Sequence, residues 1–184
     1  HRVGTPAHGL GEPAALAALG DIHERNSRWE EWIEVMERQA GVSNDGQEQI
    51  ALYKQMGRTW ADKLGRERNA LDAWLAADRI DGRDLETLRS LATLYRGTQS
   101  WDELSQTLRR IIDVGALTGE VGEDETIELY AQLGQLEGDI LGRVDDAVDA
   151  WRRVVALDPT DFRALGALEN LFTREARWEE SIEV

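Results

Sequence analysis

The chain of 184 residues contains no cysteine. That excludes disulfides, thiolate zinc sites and cysteine nucleophiles. Histidine is nearly missing as well, with 3 residues, His1, His8 and His23. The first two stand in an aperiodic lead-in and have no helix-spaced carboxylates that would complete a metal site. No apolar run approaches the roughly 20 residues of a membrane span. The longest, from Pro13 to Leu19, is short and alanine-rich, and no signal-peptide pattern precedes it. Cations are scarce: 21 Lys and Arg stand against 36 Asp and Glu, a formal charge of −15. Phosphate backbones and anionic lipid require clustered cations, so this balance argues against nucleic-acid binding and membrane docking. A phosphate-binding loop is also lacking, because the glycines from 115 to 122 are not followed by Lys-Ser/Thr. No Gly-x-Ser-x-Gly elbow occurs. The expectation is a soluble, cytoplasmic protein with no catalytic residues, no metal and no cofactor.

What the chain does have is self-similarity. Leu52, Tyr53, Gly57, Gly65, Ala70, Trp74, Leu88 and Trp101 return without a gap 77 positions later. Their counterparts are Leu129, Tyr130, Gly134, Gly142, Ala147, Trp151, Leu165 and Trp178. Leu16, Leu19, Ile22, His23 and Trp29 match Leu88, Leu91, Leu94, Tyr95 and Trp101 at an offset of 72. Self-similarity at such a period is the signature of a repeat architecture. Apolar residues within each unit recur at helical spacing. About ten helices result, the ninth carrying Leu165, Leu168 and Phe172 and the tenth opening at Trp178. Ser27 to Glu30 and Ser100 to Glu103 have the form of capping boxes that would open the second and sixth helices. Glycine-rich residues 115–123 form the longest break.

Ala70 to Leu104 and Ala147 to Ser181 are each 34 residues apart, the period of the tetratricopeptide repeat (TPR). Val155 to Pro159, the turn glycine Gly142, the small Ala147 and the aromatic Trp178 also stand where that family places such residues. The chain therefore resembles a divergent multi-repeat TPR array from about residue 13 to 184. The resemblance implies an all-α fold, an α-solenoid forming a right-handed superhelix of antiparallel helix–turn–helix hairpins. Those hairpins fall at about 13–40, 47–80, 84–114, 124–157 and 161–184, after a lead-in at 1–12. The last hairpin lacks the apolar residues that follow Trp101, and the chain begins with His1, so an excerpt of a longer array is expected. Large bacterial multi-repeat proteins contain arrays of this kind.

The repetition assigns most conspicuous residues to architecture. Trp29, Trp101 and Trp178 share one repeat position, and Trp74 and Trp151 share another; equivalent residues fill equivalent packing space. His23 aligns with Tyr95 and Phe172, so it occupies an aromatic slot. Glu30-Glu31, Asp145-Asp146 and Glu179-Glu180 sit in first helical turns, where free amides favour negative charge.

In the family it resembles, the first helix of each hairpin lines a concave groove. Placed by that rule, the groove carries Lys54 and Arg58, then Arg89, Thr93 and Arg96, then Gln135, then Arg163, Asn170 and Arg174. These residues suit a peptide or protein partner bearing acidic or free carboxylate groups, because arginine can pair such groups bidentately. The expected function is a non-catalytic protein-interaction scaffold. The alternatives are a segment that stacks end to end with itself, or an accessory region of a larger enzyme or signalling protein.

Overall fold

A computed structural model of the chain describes residues 11–182, with the side chains of residues 12–13 and 175–182 outside the described set. The lead-in residues 1–10, including His1 and His8, also lie outside it. The regular elements of the described residues are all helical, in the order α1 (Glu12–Arg25), α2 (Trp29–Val42), α3 (Gly46–Asp62), α4 (Glu67–Ile80), α5 (Leu85–Gly97), α6 (Trp101–Thr118), α7 (Glu123–Gln135), α8 (Val144–Leu157) and α9 (Phe162–Ile182). A π-helical turn, Leu136–Ile140, extends α7. No described helix is long and apolar enough to cross a membrane.

The chain divides into two compact units, 1–90 and 91–184, with the boundary inside α5. In the first, α1 packs on α2, α2 on α3 and α3 on α4. Its core joins Leu16, Trp32, Ile33, Met36, Leu52, Met56 and Ala73. In the second, α6 packs on α7, α7 on α8 and α8 on α9. There Ala131, Ala147, Val148, Trp151, Val154 and Leu171 share one core cluster.

The two units use the same devices at matching positions. Ala70 and Ala147 are fully buried. Gly57 and Gly134 face the indole rings of Trp74 and Trp151, so closely that neither could carry a side chain without displacing the ring. The turn after α3 is closed by Leu64 N–H donating to the Thr59 carbonyl and Arg66 N–H to the Trp60 carbonyl. The second unit repeats both bonds, Leu141 to Leu136 and Arg143 to Glu137. Gly65 and Gly142 supply positive φ angles of 63° and 67° between them.

Three sequence expectations change. The capping boxes are not formed: Arg28 and Ser100 are the residues preceding α2 and α6, and neither helix has a side-chain cap. Ser27 instead takes the left-handed conformation, as does Gln99, with φ of 54° and 58°. They close α1 and α5 in Schellman motifs, with Arg28 N–H donating to the His23 carbonyl and Ser100 N–H to the Tyr95 carbonyl. Ser27, held as a helix terminator, cannot also cap the helix that follows; Ser100 does stand at the cap position of α6, but its hydroxyl lies 3.1 Å from that of Thr98.

Secondly, α6 does not break at Gly115 but continues to Thr118. A Cβ on Gly115 would lie 2.5 Å from the Val121 side chain, so this glycine admits a close neighbour rather than ending the helix. Thirdly, the tenth helix expected at Trp178 is the continuation of α9, which runs unbroken to Ile182. The turn positions held by Ser27 and Gln99 fall on Ala176 in this copy, and Gly97 is replaced by Arg174. Alanine and arginine are strong helix formers, and neither offers the left-handed residue that ends α1 and α5. About ten helices thus become nine among the described residues.

Candidate functional site

The expected groove residues lie on the first helices of the hairpins, but the structure gives several of them partners. Lys54, its side chain only 14% exposed, donates to Asp84 at 2.7 Å and to Glu86 at 3.0 Å. Arg58 also pairs with Glu86. Asp84 caps α5 as well, accepting from Thr87 N–H at 2.8 Å and the Thr87 hydroxyl at 2.5 Å. Burial opposes the charge on Asp84, but the hydrogen bonds from Lys54 and Thr87 outweigh it and hold the carboxyl below its usual range. Glu86 is depressed in the same way, burial being overcome by Arg58 and Lys54. Burial also works against the Lys54 ammonium, and bonds to Asp84 and Glu86 raise it above 10.5.

Arg89 and Thr93 are exposed on α5, and each is engaged in an interaction. In the second unit, Arg96 donates to the Gln132 amide oxygen at 2.6 Å. Arg163 pairs with Asp161 at 2.9 Å and with Glu128 at 3.2 Å. Gln135, Asn170 and Arg174 are exposed. Lys54, Arg58 and Arg163 therefore pair with carboxylates of their own unit, and Arg96 with a neutral amide. Sequence spacing could not show that Asp84, Glu86 and Glu128 come within reach of them.

Sequence reasoning missed a cavity that occurs twice. In the first unit, a recess of about 650 Å³ lies over Trp32, Met36 and Leu52, with Trp29 at its edge. Asp21 and Glu24 of α1 form one wall, and Arg58, Thr59 and Lys63 of α3 form the other. In the second unit, a recess of about 340 Å³ lies over Leu104 and Leu108 beside Trp101. Its walls come from Arg96 of α5 and from Gln135, Leu136 and Ile140. Every one of these residues is the repeat counterpart of one in the first recess: Trp101 of Trp29, Leu104 of Trp32, Leu108 of Met36, Arg96 of Glu24. Gln135, Leu136 and Ile140 likewise correspond to Arg58, Thr59 and Lys63.

The tryptophan expectation divides here. Trp74 and Trp151 are core residues, 3% and 8% exposed, and Trp32 is buried at 7%. Trp29 and Trp101 are only half-buried and border the recesses; the Trp178 side chain lies outside the described set. The Lys63 ammonium sits 5.5 Å from the centre of the Trp29 ring. A recurring tryptophan signalled equivalent packing, and no sequence signal showed that one face of it stays open.

The acidic pairs serve the framework. Glu30 accepts from Arg66 at 2.5 Å, and its counterpart Asp102 accepts from Arg143, the counterpart of Arg66. Arg66 also lies over the Trp60 ring, 5.4 Å from its centre. At the matching place in the second unit stands Glu137, whose side chain is 1% exposed. It accepts from the Ser105 hydroxyl, from Arg109 at 3.0 Å and from Arg143 at 3.5 Å. The same Arg109 Nη2 also donates to Asp146 at 3.1 Å.

Residues 15–50 match the tetratricopeptide repeat family. No curated protein sequence matches the chain. Among solved structures, the MamA protein aligns with a TM-score of 0.54 at 15% identity, covering 94% of this chain and 87% of its own. The nearly identical TPR-like repeats of a candidate kinesin light chain from Podosopora anserina align with a TM-score of 0.54 at 16% identity, covering 93% of this chain and 92% of theirs. At this identity the likeness establishes the fold alone: an all-α solenoid of TPR-like hairpins.

Proposed function

We propose, for a chain whose fold is that of a tetratricopeptide repeat array, that it is a non-catalytic scaffold binding a peptide or protein segment along the first helices of its hairpins. The observation that carries this reading is the recess built twice from equivalent positions, open beside Trp29 and again beside Trp101. Such recesses can take side chains of a partner while neighbouring polar groups fix its orientation. The partner-binding set is Lys54, Arg58, Arg89, Thr93, Arg96, Gln135, Arg163, Asn170 and Arg174.

A partner with acidic or free carboxylate groups fits this set. Lys54 and Arg58 already hold the carboxylates of Asp84 and Glu86, a geometry for which a ligand carboxylate competes. The test is charge reversal at Arg89 and Arg96, read as affinity for a peptide partner by calorimetry. A weaker complex supports the reading, and unchanged affinity overturns it.

Self-association is the second reading. Phe162, Leu165 and Phe172 of α9 are 86%, 43% and 45% exposed, and Ile22 of α1 is 53% exposed. Exposed apolar residues mark an association surface where they form one contiguous patch. Sedimentation across a wide concentration range distinguishes the two, because a monomer throughout excludes self-assembly.

A further inference from the structure

The two recesses are the same structure with different walls. In the first, the wall on α1 carries Asp21 and Glu24, both exposed. Neither has an ion pair among the described residues. The cations opposite are already engaged, Arg58 by Glu86 and Lys63 by the face of Trp29. A neutral ring does not cancel the Lys63 charge, but Asp21 and Glu24 outnumber it, so the net charge left at this recess is negative. Its floor is apolar, formed by Trp32, Met36 and Leu52, all of them buried.

In the second recess the counterpart of Glu24 is Arg96 and that of Lys63 is Ile140. Arg96 donates to a neutral amide, that of Gln132, and keeps its charge. Asp139 also lines this recess, so the rim is net negative in the first copy and balanced, one arginine and one aspartate, in the second, while the floor has stayed apolar. A difference confined to the wall selects between partner side chains, because a like charge at the rim disfavours what an opposite one attracts.

We infer that the recess beside Trp29 takes an apolar side chain of a partner segment carrying a lysine or arginine next to it, with the cation held by Asp21 and Glu24. This rests on the scaffold reading above; at the Asp21 and Glu24 wall it calls for a cationic neighbour, whereas Lys54 and Arg58 on α3 suit a carboxylate. The copy beside Trp101, with Arg96 on its wall, is the internal contrast.

The test uses blocked peptides, acetylated and amidated, so that no terminal charge contributes. Three carry a central leucine flanked by arginine, glutamate or serine, and a fourth carries a central serine flanked by arginine. Binding is followed in the full chain through the indole N–H resonances of Trp29 and Trp32. The Arg-Leu-Arg peptide is expected to shift them with about tenfold higher affinity than Glu-Leu-Glu, the scale expected when two exposed attractions replace two repulsions. The Arg-Ser-Arg peptide should not shift them. Glu24→Arg together with Asp21→Ser should remove or reverse the preference while leaving the helical circular dichroism unchanged. Equal shifts from Glu-Leu-Glu, or a preference that survives this double substitution, overturn the inference and leave the scaffold reading standing. If no peptide shifts the resonances of Trp29, Trp32 or Trp101, both fall.

Discussion

Gly57 lies so close to Trp74 that a Cβ built on it would stand 2.5 Å from the indole Nε1. Gly134 and Trp151 repeat the arrangement at 2.7 Å. A glycine in mid-helix costs roughly 0.5–1 kcal/mol relative to alanine, so in isolation the alanine variants would be more stable. Here the neighbour is a buried ring rather than a flexible chain end. Gly57→Ala and Gly134→Ala are expected to destabilise the fold, by about 1–2 kcal/mol after the helix-propensity gain. Urea midpoints at constant slope check this; a stabilised variant would mean the helices can separate freely.

Gln99 adopts φ of 58° at the end of α5, a conformation that a side chain disfavours by roughly 1–2 kcal/mol and glycine does not. Gln99→Gly should therefore stabilise the chain, by about 0.5 kcal/mol once the added freedom of the unfolded state is subtracted. Thermal melting of the single variant gives the sign. The same substitution at an ordinary helical position such as Gln106 should lower stability.

Lys54, Asp84 and Glu86 give the fold a pH dependence with two edges. The carboxyls of Asp84 and Glu86 are held low, so their contribution is present above the unfolded carboxylate range and is lost as pH falls through their folded values. Lys54 is held high, so its contribution is present below about 10.5 and is lost as pH rises through its folded value. Lys54→Met should weaken the chain at neutral pH and flatten the decline of stability between about pH 5 and 3. Chemical denaturation of both proteins over that interval would show parallel curves if the cluster contributed nothing.

Glu137 is a buried carboxylate accepting from Ser105, Arg109 and Arg143. Glu137→Ala leaves the Ser105 hydroxyl, on a residue only 2% exposed, without its acceptor, a loss of about 1–3 kcal/mol. Both arginines are nearly half exposed, at 44% and 45%, so water compensates them and their share is smaller. Glu137→Gln retains an acceptor for Ser105 and should cost less. A double-mutant cycle between Glu137 and Ser105 should return a coupling energy; additivity would show that the pair contributes nothing.

The helical periodicity of Leu88, Leu91 and Leu94, and its return at Leu165 and Leu168, makes the hairpin architecture legible in the sequence. The helical character of α3, α4, α7 and α8 follows from the same periodicity. Helix ends are less legible, because Ser27 is a good cap by composition and becomes a terminator only when α1 needs a left-handed residue there. Gly115 misleads for a related reason: a glycine that admits Val121 and a glycine that breaks a helix are the same letter. Lys54, Arg58 and Arg163 can be placed on helix faces, yet their pairing with Asp84, Glu86 and Glu128 joins residues 28 to 35 positions apart.

A repeat of helical hairpins follows from local and additive properties, 3.6-residue periodicity and copied apolar positions, and these are written along the chain. So is the correspondence of residues between copies. Packing in three dimensions settles the rest: Trp29 and Trp101 stand half open at the edge of a recess, while Trp74 and Trp151 are enclosed. Exposure depends on how three helices diverge around a ring, and no single helix encodes that. The same packing pairs some charges, Lys54 with Asp84 among them, and leaves Asp21 and Glu24 without an ion pair among the described residues.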